Sequence, residues 1–210
     1  MANISLLRLL TWLSPAFPTG GFAYSHGLEW AVEAGEVRDE TSLAAWLEDT
    51  LRLGGLWSDA ILVRLAHRGE DVSALGMALC ASAERRLESS AQGAAFALAA
   101  APWAGPDWDD EPLPYPVAVG KLAAAHGVTE DDTTLAFLHA ASSNMVSAAI
   151  RLIPLGQTAG LRVQAALEPT ILDVANASGT AGAQDLGGAC WAADIAAMRH
   201  ETQYTRLFRS

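Results

Sequence analysis

Apolar positions recur at three- and four-residue spacing along nearly the whole chain, which is the period of a helix with one buried face. Leu43, Trp46, Leu47 and Leu51 form one such stripe, with Thr41 or Ser42 available as its N-cap. Ile61, Leu62, Leu65 and Ala66 form another after Ser58. Residues 72–100 are rich in Ala, Leu, Met, Arg and Glu, all strong helix formers, and Gly93 within them is a weak spot expected to mark a close helix contact. Helix is predicted over 117–126, stopping near Gly127, and again over about 130–152. Thr129 and Asp132 at the start of the latter make a variant capping box. Its expected core face is Leu135, Leu138, Val146, Ala149, Ile150 and Ile153, and Pro154 ends it. Two shorter helices are expected near 157–167 and 170–177, with Pro169 in the first turn of the second. A last helix is expected over about 191–201. No run alternates strictly, so strands are not predicted, and no repeat of solenoid length is present.

Three stretches break this pattern. Residues 102–116 hold five of the nine prolines and are predicted to form a long surface loop. Residues 178–190 are small and Gly-rich, the composition of a flexible loop. Residues 202–210 form a C-terminal tail. Either half alone would be a marginal bundle, so residues 1–210 are expected to make one all-α domain. A mean helix of about 11–12 residues gives a bundle of roughly eight to ten helices.

Composition narrows the function. Hydrophobic residues make up 51% and charged residues 18%, which excludes disorder as the dominant state. The formal net charge is -11, and Lys121 is the sole lysine. Phosphates would be repelled, so nucleic acid is not an expected partner. No basic cluster exists to hold an anionic membrane. Residues 133–150 lack charge, but His139, Ser142, Ser143 and Asn144 make them too polar for lipid. Arg8 interrupts the apolar N-terminal run, and no basic stretch precedes it, so a signal peptide is not predicted. Cys80 and Cys190 lie far apart with no CxxC, which argues against a disulfide framework or a zinc module. Two thiols suit a reducing compartment, and a cytoplasmic location is expected.

Catalytic motifs are missing. There is no phosphate-binding GxxxxGK[ST], no GxGxxG after a strand and no GxSxG elbow. No catalytic residues and no cofactor are therefore assigned. The five histidines are scattered, without HxH or HxxxH spacing; His26, Cys190 and His200 are retained as candidates for a transient metal site.

Three segments stand out. The first runs from Ser14 to Trp30, with two prolines, adjacent Gly20 and Gly21, and Phe22, Tyr24 and Trp30 within nine residues. It reads either as a turn plugged into the core or as a rigid recognition loop, since Tyr and Trp bury large apolar area while keeping a polar tip. The second is the end of the chain, where Tyr204, Leu207 and Phe208 accompany Arg206 and Arg209. Termini are usually polar and frayed, so this one either packs back on its own chain or docks into a partner. In the third, Ser143–Gln157, Arg151 is an isolated charge in an apolar helix, expected to snorkel or to pair with a carboxylate.

Together these segments resemble the urease accessory protein F family (UreF). The resemblance begins at LLRLLTWLSPAFPTGGFAYSHGLEWAVEAGEV and passes through ERRLESSAQG, YPVAVGKLAAAHGV and SSNMVSAAIRLIPLGQTAG. It ends at DIAAMRHETQYTRLFRS. The resemblance implies an all-α, homodimeric, non-enzymatic maturation factor. Such a protein bridges a UreD/UreH-type accessory protein and the nickel-carrying GTPase UreG on apo-urease, and regulates GTP hydrolysis and nickel insertion. A direct nickel carrier using His26, His200 or Cys190 is the alternative, and an enzyme built on a helical bundle is a third class. The matched positions expected to bind partners are Pro18, Gly20, Gly21, Phe22, Tyr24, Ser25, Gly27 and Glu29 in the loop. At the other end they are Asp194, His200, Glu201, Tyr204, Arg206, Leu207 and Phe208. Arg206 is expected to fold back toward Phe22 and Tyr24 once the UreD/UreH-type partner is bound, a contact of about 0.5–2 kcal/mol. Removal of 200–210 is expected to leave a folded chain that no longer captures that partner.

Overall fold

The computed structural model describes residues 4–104 and 113–210. Ten α-helices and no strands are found among them. These are α1 (Ile4–Trp12), α2 (Leu28–Glu33), α3 (Glu40–Leu53), α4 (Gly55–His67) and α5 (Ser73–Ala78). They continue with α6 (Ala83–Ala99), α7 (Tyr115–Ala125), α8 (Glu130–Leu152), α9 (Gly156–Ala177) and α10 (Trp191–His200).

Helix α4 is the hub. Its Ile61, Leu62 and Leu65 join Trp12 of α1, Phe96 of α6, Val119 and Leu122 of α7 and Phe137 of α8 in one apolar cluster. Its Leu56 and Ala60 face a second cluster with Leu28, Leu43, Leu47, Met145, Leu167 and Ile171 from α2, α3, α8 and α9. Trp57 packs against both. Of the predicted core face of α8, Leu138, Val146, Ala149 and Ile153 are buried, while Leu135 and Ile150 are half-buried.

Several expectations are corrected by local chemistry. Helix α3 starts earlier than predicted: Asp39 is the cap, and Ser42 completes a reciprocal capping box from inside the first turn. The run 72–100 is two helices, because Ser82 caps a new start by accepting from the N–H of Arg85. The two short helices expected at 157–167 and 170–177 are one, α9, with Pro169 inside it. A proline removes one internal hydrogen bond; here burial of Val163, Leu167, Ile171 and Val174 along a single face outweighs that loss.

The end of the Pro-rich segment is helical, since Tyr115 and Pro116 form the first turn of α7, where a missing N–H does no harm. The 105–112 part of that predicted loop lies outside the described residues. Gly93 does mark a close approach, though to backbone rather than to a helix: a Cβ there would lie 1.8 Å from the carbonyl oxygen of Leu113.

Residues 178–190 are tied down rather than loose. Buried Arg64 of α4 donates to the Ser178 hydroxyl, to the Ala175 carbonyl, and to Glu130 and Asp131 at the start of α8. Farther along, the Ser58 hydroxyl accepts from the N–H of Gly187, and the Leu53 carbonyl accepts from Ala189 and Cys190.

Candidate functional site

The N-terminal loop and the C-terminal tail lie against one another, on a platform made by α2, α6 and the last turn of α8. Two successive residues with positive φ, His26 at 55° and Gly27 at 78°, turn the chain sharply into α2. Glycine is required at 27 twice over: the left-handed backbone favours it, and a Cβ would lie 2.5 Å from the Ala197 nitrogen of α10. His26 takes the same conformation with a side chain, and its imidazole is tied to Glu88, 3.0 Å away. The Ser25 hydroxyl accepts from the N–H of Glu29 in the first turn of α2 and donates to the Ser210 carbonyl.

Glu29 is the centre of the arrangement. Its carboxylate, buried, accepts from the N–H groups of Leu207 at 2.6 Å and Phe208 at 2.8 Å. The same carboxylate faces Nε2 of His200 at 3.1 Å, while Nδ1 of His200 lies 2.6 Å from Glu84. Both ring nitrogens of this fully buried histidine therefore face carboxylate oxygens. Glu84 also accepts from Arg206 at 2.7 Å. The Arg209 N–H donates to the carbonyl of Ala23, and the Ser25 N–H to the carbonyl of Ser210.

Beside this lies a second buried group of charges. Glu88 of α6 faces His26, Arg85, Gln92 and the Ser210 hydroxyl. Burial pushes the Glu88 carboxyl up, but the charges of His26 and Arg85 and the hydrogen bonds from His26 and Ser210 outweigh it and hold it at about 2. Asp59, paired with Arg85, moves the other way: burial raises it against the pull of Arg85 and His26. A carboxyl held at about 2 when folded, against an ordinary 4.5, stabilises the fold above the higher value and loses that contribution as pH falls toward the lower. The loss is on the order of 3 kcal/mol. Glu88→Gln is accordingly expected to melt well below the parent chain at pH 7, with the gap closing between pH 4.5 and 2. Thermal unfolding followed by circular dichroism across that range checks it; a constant gap would contradict the assignment.

The sequence-predicted residues divide into those brought together and those set apart. Tyr24, Ser25, Gly27, Glu29, His200 and Phe208 share the buried junction, joined by the backbone N–H of Leu207. Phe22, Tyr204 and Leu207 are 67%, 102% and 64% exposed around it. Gly21 packs against Asn144, and Gly20 and Pro18 shape the loop outside the junction. Glu201 instead caps α6 by accepting from the N–H of Ala83. Asp194 lines a small cavity with Thr50 and Cys80, and burial raises its carboxyl. Arg206 reaches Glu84 in the free chain, while the guanidinium that meets the Phe22 loop is that of Arg151. Arg151, exposed, donates to the Phe22 carbonyl at 2.5 Å and stands 4.3 Å over the Phe208 ring; of the two expected outcomes, snorkelling or a carboxylate partner, the second is not seen among the described residues.

Of the candidate metal ligands, His26 is engaged by Glu88, His200 by two carboxylates, and Cys190 precedes α10 beside Leu53. Among the described residues no three His, Cys, Asp or Glu side chains are grouped so as to hold a metal ion. No helix among them is long and apolar enough to cross a membrane.

Sequence reasoning missed Glu84, Arg85, Glu88 and Gln92 of α6, Asp59 of α4 and the role of Arg151. A signal existed for three of them. Glu84, Glu88 and Gln92 follow one another at four-residue spacing and so share a helix face; burial of that face is what makes them structural.

A family profile described as UreF matches residues 37–168. The urease accessory protein UreF of Bradyrhizobium sp. strain BTAi1 is 50% identical over 221 residues, covering 98% of this chain and 92% of that protein. Its namesake from Xanthobacter autotrophicus strain Py2 is 50% identical over 225 residues, covering 100% and 93%. That from Cereibacter sphaeroides strain KD131 is 49% identical over 211 residues, covering 99% and 100%.

Proposed function

The chain belongs to the UreF family, and on that premise we propose that it is a urease maturation factor acting in the cytoplasm as a non-enzymatic scaffold. It bridges a UreD/UreH-type accessory protein and the GTPase UreG on apo-urease, works as a homodimer, and couples GTP hydrolysis to insertion of nickel, which is the cargo. The observation that carries this reading is the junction of loop and tail. Two segments some 180 residues apart are joined through one buried carboxylate, Glu29, while Phe22, Tyr204 and Leu207 are left facing outward. Large apolar side chains held outward by a rigid, hydrogen-bonded base are a docking device. They are not a reaction site, because the titratable groups here are used up in pairing with one another.

Cells carrying a urease operon from which this gene alone is removed are expected to make urease protein of normal abundance with at least about tenfold lower activity and nickel content. Restoring the gene should restore both. Urease of unchanged activity and nickel content in the deletion strain would overturn the proposal.

A further inference from the structure

Between the N-terminal loop and helices α6, α7 and α8 lies a cavity of about 390 Å³. Its walls include the rings of Phe17, Tyr115 and Phe137, the last two with centroids 5.5 Å apart. The Asp59 carboxylate, 7% exposed, also lines it and gives one oxygen to Arg85. The other oxygen has no partner among the described residues, nor has the Tyr115 hydroxyl, the Gln92 Oε1 or the Asn144 amide. None of these groups is sealed in protein. Gly21 keeps the space between two of them free: a Cβ there would stand 3.1 Å from Asn144 Nδ2 and 3.7 Å from Gln92 Oε1. Asp59 and Glu88 set two negative charges against the one fixed positive charge of Arg85, with His26 beside Glu88. Arg85 does not fully offset the burial of Asp59, which still raises that carboxyl.

We infer that this cavity binds an organic cation bearing N–H donors, an alkylguanidinium or alkylammonium group, with its charge toward Asp59 and its apolar stem against Phe17 and Phe137. The unpaired acceptors decide the charge. Asp59 and Gln92 offer bare oxygens, which N–H groups satisfy and a carboxylate does not. An anion would meet two carboxylates for one guanidinium. A metal ion calls for several His, Cys, Asp or Glu ligands together, and no group of three is found among the described residues. The rings add an attraction of their own, because a cation is drawn to an aromatic face and a planar guanidinium also stacks on it. The volume lies at the small end of ligand pockets, enough for one such head and a short stem. A free small molecule and a lysine or arginine of a docked protein share this chemistry.

Ethylguanidinium chloride is the probe, added to the isotope-labelled full-length chain, with the side-chain amide signals of Gln92 and Asn144 followed by nuclear magnetic resonance. Saturable shifts of both are expected, with a Kd on the order of 1 mM, an ordinary affinity for so few atoms. Ethylurea, of the same shape without the charge, and propionate are expected to bind at least about tenfold more weakly. Tyr115→Phe removes the hydroxyl, keeps the ring and should weaken ethylguanidinium several-fold. Asn144→Leu, of similar volume, should abolish measurable binding at the Gln92 signal. Neither substitution touches the ion pairs, and circular dichroism verifies that each folds; should one not, the other decides. N-acetyl-arginine methylamide separates the sources: tighter binding than ethylguanidinium points to a protein side chain, weaker binding to a free small molecule. No saturable shift, equal binding of ethylurea, or wild-type affinity in either folded variant would overturn the inference. The scaffold reading stands or falls separately, on urease activation.

Discussion

Glu29→Ala is expected to free the C-terminal tail and lower the melting temperature by several degrees. The substitution leaves three donors without their acceptor: the N–H groups of Leu207 and Phe208 and the Nε2 of His200. An orphaned buried donor costs about 1–3 kcal/mol. The two backbone donors can recover water if the tail lifts, which sacrifices the burial of Phe208 and Ser210. His200 is fully buried at the end of α10 and has no such escape. The lower-energy response is therefore a lifted tail plus a global penalty of about 1–3 kcal/mol from His200, or a fall of about 3–10 °C for a chain of this length. Hydrogen exchange at Leu207 and Phe208 should accelerate by about 100-fold, equivalent to about 2.7 kcal/mol. Glu29→Gln keeps an acceptor oxygen and should retain part of the protection. Unchanged exchange at both amides in Glu29→Ala would show that the tail is held by something else.

Removal of residues 202–210 is expected to abolish capture of the UreD/UreH-type partner while sparing the helical fold. Cutting at 200 would be the wrong place: His200 is buried between Glu29 and Glu84, and Glu201 caps α6. Beyond Glu201, only Phe208 and Ser210 are buried. Their loss exposes Glu29 and Glu88 to water, which can take over as hydrogen-bond donor, so the cut costs little more than the burial of one Phe, about 2–3 kcal/mol. The proposed docking surface loses Tyr204 and Leu207 altogether, along with Arg206 and Arg209. Loss of several anchors at once is expected to weaken binding by at least about 100-fold. Pull-down of the co-expressed partner, with far-UV circular dichroism as control, measures both halves of the statement. A shortened chain that still retains the partner at wild-type yield would refute it.

The N-terminal loop and the C-terminal tail were conspicuous before any coordinates, and the reason is compositional. Pro18, Gly20, Gly21 and Gly27 are costly inside helices, and Phe22, Tyr204 and Leu207 are costly on a bare surface, so each is conspicuous against the helical background. Arg151 was conspicuous too, but its partner was not. A guanidinium accepts a carboxylate, a carbonyl or an aromatic face with comparable ease, and the choice depends on what the fold places beside it. Glu84 and Glu88 were hidden for the converse reason. Carboxylates at helical spacing ordinarily mark a solvated face, and nothing local shows that α10, the loop and the tail cover this one.

Helix periodicity, caps and breakers are properties of neighbouring residues. They determined the all-α class, the extent of α8, and the places where the chain must turn. Continuity of α9 through Pro169 and the fixing of 178–190 by Arg64 and Leu53 were decided by tertiary packing, because burial along a long face and hydrogen bonds from distant helices outweigh local propensity. The same holds for the site. The sequence names a loop and a tail, but only the folded chain brings Glu29 under Leu207 and Phe208, since a carboxylate stays buried only where distant donors replace the water it gives up.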